Sequence, residues 1–210
     1  AALCKEQADM LKKSEWKHCG AKQTAAMEAM ADCTDKNAAA ELILKNGAEG
    51  FSTFMSYYLL KTAAEKDISA ALGILKEYYG AMLKLGATTF WEDFDIAWAE
   101  NASAIDEIPE EGKTDIHGDN GAFCYKGFRH SLCHGWSSAP TAFLAEEVLG
   151  IRISEPGCKK IRIAPRLGNL EWAEGKYPTP YGTVAVSCKN LGGEIKTEWT
   201  APPEITVITE

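Results

Sequence analysis

The residues best suited to chemistry are crowded into one ten-residue stretch, GATTFWEDFD (86–95). It places three acids among three large aromatic residues: Glu92, Asp93 and Asp95 with Phe90, Trp91 and Phe94. A carboxylate held against aromatic faces is partly desolvated, which raises its pKa and makes it a better proton acceptor near neutral pH. Aromatic faces also bind the C–H faces of sugar rings, and carboxylates accept hydrogen bonds from sugar hydroxyls. The stretch therefore favours a carbohydrate site.

A second segment, RHSLCHGWSSAP (129–140), adds His134 and Trp136 as candidates. Both segments are predicted at helix ends, where a barrel of helices would open. The sequence pattern alone is also compatible with a purely structural role for the acid, because an acid after a tryptophan at a helix end is commonly a helix cap or a solvated residue. A single histidine is likewise commonly structural.

The seven cysteines form no CxxC pair and show no metal-like spacing. They are predicted to be mostly free thiols, which favours a reducing compartment. Cys124 and Cys133, near His130 and His134, are compatible with a nucleophile or a zinc site, but packing in an aromatic-rich helix is the favoured interpretation. No metal and no cofactor are predicted.

Composition limits the partners. The 210 residues are 46% hydrophobic and carry a formal net charge of −8, so the chain can bury a core but offers no basic face for nucleic acid. A neutral or cationic ligand is favoured. No apolar run approaches the roughly 20 residues of a membrane helix, and no signal peptide is recognisable. The sequence begins without methionine, which suggests a piece of a longer protein, and both a cytoplasmic and a periplasmic location in a bacterium stay open.

Helical periodicity dominates the first 150 residues. The clearest helix is DISAALGILKEYYGAMLKLG (67–86), with Asp67 as candidate N-cap and Gly86 as its stop. Its predicted apolar stripe is Ile68, Leu72, Leu75, Tyr79 and Leu83. Further helices are predicted over 22–32, from Thr34 or Asp35 to Asn46-Gly47, over 52–66, and from Ser137 or Ser138 to Leu149-Gly150. Such spacing favours antiparallel helical hairpins.

After Gly150 the apolar residues alternate instead. KKIRIAP, YGTVAVSC, GEIKTEW and APPEITVIT read as short strands separated by Pro-Gly, Gly-Asn and Gly-Gly turns. The prediction is an α+β chain with helical hairpins in 1–150 and a small antiparallel β-sandwich in 151–210, packed on the helices. Between these patterns, 93–120 is predicted as a long irregular loop, kept from disorder by Trp98, Ile105 and Ile108.

The order of these motifs resembles the C-terminal part of bacterial α-L-rhamnosidases, glycoside hydrolase family 78. The likeness rests on GATTFWEDFD, IDEIPEEGK, HGDNGAFCYKGFRHSLCHGWSSAPTAFLAEEVLGI and PGCKKIRIAPRLGNLEWAEGKYPTPYGTVAVS. It implies an (α/α)6 barrel followed by a β-sandwich, and cleavage of terminal α-linked L-rhamnose with inversion. The helices present account for about half of such a barrel.

The resemblance also implies roles for single residues. Glu92 would be the general base that activates water, and His134 would line the rhamnose pocket. Trp91 and Trp136 would be pocket walls, and Phe90 and Asp95 are weaker candidates. The loop through Asp119 is longer than the corresponding loop of the family, so the resemblance does not predict which residues form the rim of the substrate pocket.

Inversion requires a second carboxyl group about 6.5–9.5 Å from the first. The family's upstream acid motif is not found in this sequence, so the isolated chain is expected to be inactive and to need the missing half of the barrel or a second copy of itself. The alternatives are a non-catalytic carbohydrate-binding module and a purely structural fragment. Other helical-barrel hydrolases, which act on unsaturated uronides, are the nearest enzymatic rivals, and IRIAPRLGNLEW favours the rhamnosidase.

Overall fold

The computed structural model describes residues 2–14, 19–117 and 130–209. The chain divides into two compact units. The helical unit comprises Ala1–Lys66 and Ala70–Ala139, and the sheet unit comprises Asp67–Ser69 and Pro140–Glu210. Cys124 and Asp119, both singled out in the sequence, lie outside the described residues. The cysteines that the structure describes are free thiols: Cys4, Cys19, Cys33, Cys133, Cys158 and Cys188.

The first part of the chain is helical, as its periodicity predicts. The helices are α1 (Ala2–Lys13), α2 (Lys22–Met30), α3 (Lys36–Leu44), α4 (Ser56–Lys66) and α5 (Ile68–Lys84). Helices α2, α3 and α4 pack against one another, whereas α1 buries none of its residues. Among the described residues, none of the helices is both long and apolar enough to cross a membrane.

Local signals set the helix ends where the sequence placed them. The Asp35 side chain accepts a hydrogen bond from the Ala38 N–H at 2.8 Å and so caps α3. Asn46 and Gly47, with φ of 59° and 57°, turn the chain after α3, and Gly86 with φ 88° does so after α5. These residues adopt the left-handed conformation that ends helices.

The buried stripe of α5 differs from the predicted one. It consists of Ala71, Leu72, Ile74, Tyr78, Tyr79 and Met82, while Leu83 is 69% exposed. Leu72 and Tyr79 are therefore correct, but the stripe continues through Tyr78 and Met82. A helix with apolar residues on a wide arc has several candidate faces, and tertiary packing selects one of them.

The predicted irregular loop is ordered over its described part, up to His117. Asp95 caps a 3₁₀ helix at Ile96–Asn101, and the chain then folds back so that Ala102 and Thr114 form a parallel bridge. The Ile105 N–H donates to the Leu85 carbonyl at 2.9 Å, which ties the loop to the end of α5. Ile108 does not contribute as expected, because it is 93% exposed.

The helix predicted after HGWSSAP is short and changes from α-helical to π-helical geometry along its length. Helix α6 (Ala139–Phe143) continues as a π-helical turn over Leu144–Val148, and the chain leaves it at Gly150. Glu147 on this turn is buried, with 2% of its side chain exposed.

The described residues after Gly150 form six strands in two sheets, and the α+β class is confirmed. The strands are β1 (Ile151–Ile153), β2 (Lys160–Ile163), β3 (Trp172–Thr179), β4 (Gly182–Leu191), β5 (Glu194–Thr200) and β6 (Thr206–Thr209). One sheet is the antiparallel β3–β4–β5 meander. The other has the order β1–β2–β6 and is mixed, because β2 and β6 are parallel. The predicted antiparallel arrangement is confirmed for the other strand pairs, and the parallel β2–β6 pair departs from it.

Candidate functional site

Two backbone segments of the helical unit pair like neighbouring strands. The Glu92 N–H donates to the Ser131 carbonyl at 2.8 Å, and the His134 N–H donates to the Phe90 carbonyl at 2.8 Å. The Thr89 hydroxyl donates to the Leu132 carbonyl at the same junction. The acid motif and the histidine motif, about forty positions apart in sequence, are thus held side by side by their own backbone groups.

The main chain at Glu92 is fixed from two further sides. Its carbonyl accepts a hydrogen bond from the buried Thr53 hydroxyl at 2.6 Å and another from the Trp136 indole N–H at 2.7 Å. A residue whose N–H and carbonyl are both bound has little freedom to move its side chain by backbone rotation. This is the preorganisation that a reacting group requires.

The Glu92 carboxylate is held at one oxygen. Oε2 accepts a hydrogen bond from the Ser131 N–H at 3.1 Å and lies 3.9 Å from His134 Nδ1. The Glu92 side chain is 15% exposed and that of His134 is 31% exposed. Both groups therefore remain within reach of a ligand.

An exposed aromatic surface adjoins this pair. The Trp136 ring lies 4.2 Å from the His134 ring, centroid to centroid, and 5.1 Å from the Phe54 ring. Trp136 is 46% exposed and Phe54 is 56% exposed. Phe54 was missed in the sequence, where it reads as an apolar residue leading into α4, and no local signal distinguishes it from a core residue. We call Glu92, His134, Trp136 and Phe54 the candidate site.

Trp91 does not belong to this surface, which corrects its predicted role as a pocket wall. Its side chain is fully buried and packs against Phe94 and His130, at centroid distances of 5.7 and 6.4 Å. The Ser137 hydroxyl donates to the Trp91 carbonyl. Within the described residues its indole N–H meets no acceptor. Trp91 directly precedes Glu92, and neighbouring side chains of an extended segment point to opposite sides, so the buried Trp91 side chain supports the segment from the side opposite to the Glu92 carboxylate.

The side chains of Phe90 and Asp95 make contacts outside the candidate site. The Phe90 ring is partly buried and stands edge-on to the Tyr79 ring at 6.0 Å. Asp95 Oδ1 accepts a hydrogen bond from the Ala97 N–H at 2.9 Å. Asp95 also lines a cavity of about 730 Å³ together with Lys22 and Asn46, which are not part of the candidate site. Asp95 acts as a helix cap in this arrangement.

His130 connects the candidate site to the long loop. Its Nε2 accepts from the Asp93 N–H at 3.1 Å, which leaves Nδ1 as the donor to the Ile116 carbonyl at 3.0 Å. The ring is therefore a neutral, buried linker between the residue after Glu92 and the folded loop. His130 is the satisfied structural histidine, and His134 is the accessible one.

Tyr79 connects the segment that follows His134 to the start of α4. Its hydroxyl contacts the Ser137 carbonyl at 3.0 Å and the Ser56 hydroxyl at 2.8 Å. Burial raises the pKa of Tyr79 to about 12. The phenol thus stays protonated, and able to donate, at any pH where the protein works.

Comparison with known proteins finds similarity to rhamnosidases, by a family model in one part of the chain and by solved structures over most of it. The family model of the bacterial alpha-L-rhamnosidase C-terminal domain matches residues 150–208. A search of the curated proteins found no match.

Solved structures match a larger part of the chain. A family 78 rhamnosidase of Bacillus sp. GL1 is 27% identical with a TM-score of 0.66, over 90% of this chain and 19% of that one. The α-L-rhamnosidase of Aspergillus terreus is 19% identical with a TM-score of 0.68, over 90% and 21%. The Streptomyces avermitilis α-L-rhamnosidase, solved with L-rhamnose, is 17% identical with a TM-score of 0.66, over 90% and 18%. The chain spans about a fifth of the length of each of these proteins.

Proposed function

We propose, for a chain that is homologous to the C-terminal part of α-L-rhamnosidases, that Glu92 is the general base of a hydrolase releasing terminal α-linked L-rhamnose with inversion. The observation that carries the proposal is the position of the Glu92 carboxylate. It lies 3.9 Å from the His134 imidazole, next to the exposed Trp136 and Phe54 rings, on a backbone fixed at both its N–H and its carbonyl.

The reaction divides into steps that this arrangement supports. A water molecule attacks the anomeric carbon while Glu92 takes its proton, the glycosidic C–O bond breaks, and a separate carboxylic acid protonates the leaving oxygen. His134 donates a hydrogen bond to a sugar hydroxyl or to the Glu92 carboxylate. The Trp136 and Phe54 faces hold the C–H side of the sugar ring.

The Ser131 N–H contributes to this role in a specific way. It occupies Oε2 of Glu92 at 3.1 Å and so orients the carboxylate plane. A general base is efficient when its lone pair points at the proton it accepts, and a fixed carboxylate plane removes the entropy of finding that orientation.

The second carboxyl group is proposed to come from outside the candidate site. Asp93 follows Glu92 directly, and its N–H is held by His130, so it cannot stand across a sugar ring from Glu92 at the separation that inversion requires. The missing half of a barrel, or a second copy of this chain, stays the predicted source of the acid.

The 210-residue chain by itself is therefore expected to show no turnover of an aryl α-L-rhamnoside. The measurement is release of the aryl alcohol at high protein concentration, with the Glu92→Gln variant as background. Turnover that Glu92→Gln abolishes would mean that the chain, alone or assembled with copies of itself, holds a complete site, and would contradict an acid supplied by the missing half of a barrel.

One observation favours binding without catalysis as the second candidate function. The exposed rings of Trp136 and Phe54 form a surface that a sugar can use whether or not an acid is present. In that case L-rhamnose would bind the chain, and Glu92→Gln in the complete protein would leave any rhamnosidase rate unchanged.

Trp136 can be tested for its two contributions separately. In the complete hydrolase, Trp136→Phe keeps an aromatic face but loses the N–H bond to the Glu92 carbonyl, worth about 0.5–1.5 kcal/mol, so we expect kcat to fall by less than about tenfold. Trp136→Ala also removes the sugar-binding face and should raise KM in addition. Steady-state kinetics on an aryl α-L-rhamnoside separates the two effects.

The matched control is Trp172→Ala, which removes another exposed tryptophan, on β3, outside the candidate site. It should leave kcat and KM unchanged. Equal KM values for Trp136→Ala and the unmodified enzyme would remove Trp136 from the sugar site.

A further inference from the structure

A group of buried hydroxyls contacts the backbone of the candidate site. They belong to Thr53, Ser56, Tyr79 and Ser137, all of which are buried. Thr53 precedes α4, Ser56 begins it, Tyr79 lies on α5, and Ser137 follows the histidine motif. A buried hydroxyl group costs free energy unless it is hydrogen-bonded, so the bonds that these groups make decide their effect. We call these four residues the hydroxyl cluster.

Tyr79 joins the two ends of the hydroxyl cluster. Its hydroxyl oxygen lies 2.8 Å from the Ser56 hydroxyl oxygen and 3.0 Å from the Ser137 carbonyl oxygen. The Ser56 hydroxyl in turn donates to the Thr53 carbonyl at 2.6 Å. The turn before α4 and the segment after His134 are therefore held at a fixed separation through the phenol group of Tyr79.

The outer bonds of the hydroxyl cluster end on two consecutive carbonyl groups of the acid motif. The Thr53 hydroxyl donates to the Glu92 carbonyl at 2.6 Å, and the Ser137 hydroxyl donates to the Trp91 carbonyl. Trp136, directly before Ser137, adds the indole bond to the Glu92 carbonyl at 2.7 Å. The Glu92 carbonyl thus receives one donor from each of the two segments that Tyr79 joins.

This geometry makes the main chain of Glu92 sensitive to the separation of the two segments. If the segments moved apart, the Glu92 carbonyl could keep one of its two donors but not both. Hydrogen bonds in a buried network strengthen one another, so the loss of one weakens the others. A misplacement of about 1 Å caused far from the reacting atoms can lower a rate by about 100-fold. A small loosening of this network is therefore enough to disturb the Glu92 carboxylate.

We propose that Tyr79 is a positioning residue for Glu92, which holds the turn before α4 and the Trp136–Ser137 segment at the separation that keeps both donors on the Glu92 carbonyl. The proposal rests on the proposed function, which makes Glu92 the general base. Tyr79 is 7% exposed, so its hydroxyl acts through the main chain of Glu92 and does not reach a sugar in the candidate site.

The first test is hydrogen exchange in the 210-residue chain with the Tyr79→Phe variant, which removes the hydroxyl and keeps the ring. Nuclear magnetic resonance follows two protons, the Glu92 backbone N–H, which donates to the Ser131 carbonyl, and the Trp136 indole N–H. Both are expected to exchange at least about tenfold faster than in the unmodified chain, because the variant leaves the buried partners of Tyr79 unsatisfied. Unchanged exchange of both protons would overturn the proposal.

The matched control is Tyr78→Phe. Tyr78 is also buried on α5, and its hydroxyl donates to the Phe94 carbonyl, two residues beyond Glu92. This variant removes the same atoms from the same helix but leaves the two donors of the Glu92 carbonyl tied together. It should speed the exchange of the two protons by less than about twofold. A similar acceleration in both variants would indicate general loosening around α5 and contradict a positioning role.

The second test is a double-mutant cycle on the complete protein with an aryl α-L-rhamnoside. Tyr79→Phe is expected to lower kcat by about 3- to 30-fold and to change KM by less than about twofold, because the sugar-binding faces remain. In the Glu92→Gln background no proton acceptor is left to position, so Tyr79→Phe should change the residual rate by less than about twofold.

The outcomes of the cycle separate the two proposals. An unchanged rate in Glu92→Gln would refute the proposed function. A rate that falls in Glu92→Gln, with equal effects of Tyr79→Phe in both backgrounds, would refute only the positioning role. The exchange measurement requires no turnover, so it decides whether Tyr79 holds the Glu92 main chain even if the complete protein shows no activity.

Discussion

Under the proposed function, we expect Glu92→Gln to lower the kcat of the complete protein on an aryl α-L-rhamnoside by roughly 10²–10⁴-fold, the range that a general base contributes. Glutamine keeps the size of the side chain and one oxygen that can accept from the Ser131 N–H. The Thr53 and Trp136 bonds go to the backbone carbonyl and are not altered. The variant should therefore lose the proton acceptor and keep the fold.

The control for this prediction is Asp93→Asn, the neighbouring acid. Asp93 Oδ1 accepts from the Phe94 N–H at 2.9 Å, and asparagine can keep that bond. We expect its kcat to stay within about tenfold of the unmodified enzyme, the effect of one disturbed hydrogen bond. A comparable loss in both variants, with unchanged circular dichroism, would mean that Glu92 has no special role among the two acids.

Gly150→Ala should destabilise the sheet unit by more than about 4 kcal/mol or prevent it from folding, an exceptional cost for one methyl group. Gly150 has a φ of 69°, and a Cβ on it would overlap the backbone carbonyl of Ala164. The two residues are close because the Ala164 N–H donates to the Gly150 carbonyl at 3.1 Å, just before the β1–β2 pairing begins. Backbone cannot move aside without breaking that pairing.

Gly157→Ala is the matched control. Gly157 has a similar φ of 76°, but a Cβ there would meet no atom within 4 Å. It should cost only the penalty of the left-handed conformation, about 1–2 kcal/mol. Thermal unfolding of the two variants separates conformational strain from overlap. Equal midpoints for Gly150→Ala and Gly157→Ala would show that Ala164 can yield.

Elements with local signals were predicted from the sequence. The cap at Asp35, the turn at Asn46-Gly47 and the alternating strands β2, β4 and β5 depend on residues adjacent in the chain. Strands β1 and β3 were not predicted, because IRI is too short to show a period and WAEGKYPT interrupts its alternation with glycine, charges and proline. The parallel pairing of β6 with β2 joins segments more than forty residues apart and has no local signal.

The residues of the candidate site likewise fall into two groups, those that the sequence indicated and those whose exposure depends on the rest of the fold. Glu92, His134 and Trp136 were named as candidates from residue type and from family resemblance, and the structure places them close together, while their roles stay predictions. Trp91 and Phe54 were misjudged in opposite directions, because exposure of an aromatic side chain depends on what the rest of the fold places over it. Trp91 is covered on all sides while Phe54 is 56% exposed, although both are aromatic residues next to polar ones in the sequence.

The most direct test of Glu92 as the base is chemical rescue of Glu92→Ala by azide in the complete hydrolase. The space left by the side chain admits azide, which needs no base because it is already an anion. An inverting reaction converts an α-linked L-rhamnoside into β-L-rhamnosyl azide, and the proton NMR spectrum of the product identifies the anomer. We predict slow hydrolysis without azide and formation of the β-azide with it. An α-azide, or hydrolysis by Glu92→Ala at the unmodified rate, would contradict the role of Glu92 as general base.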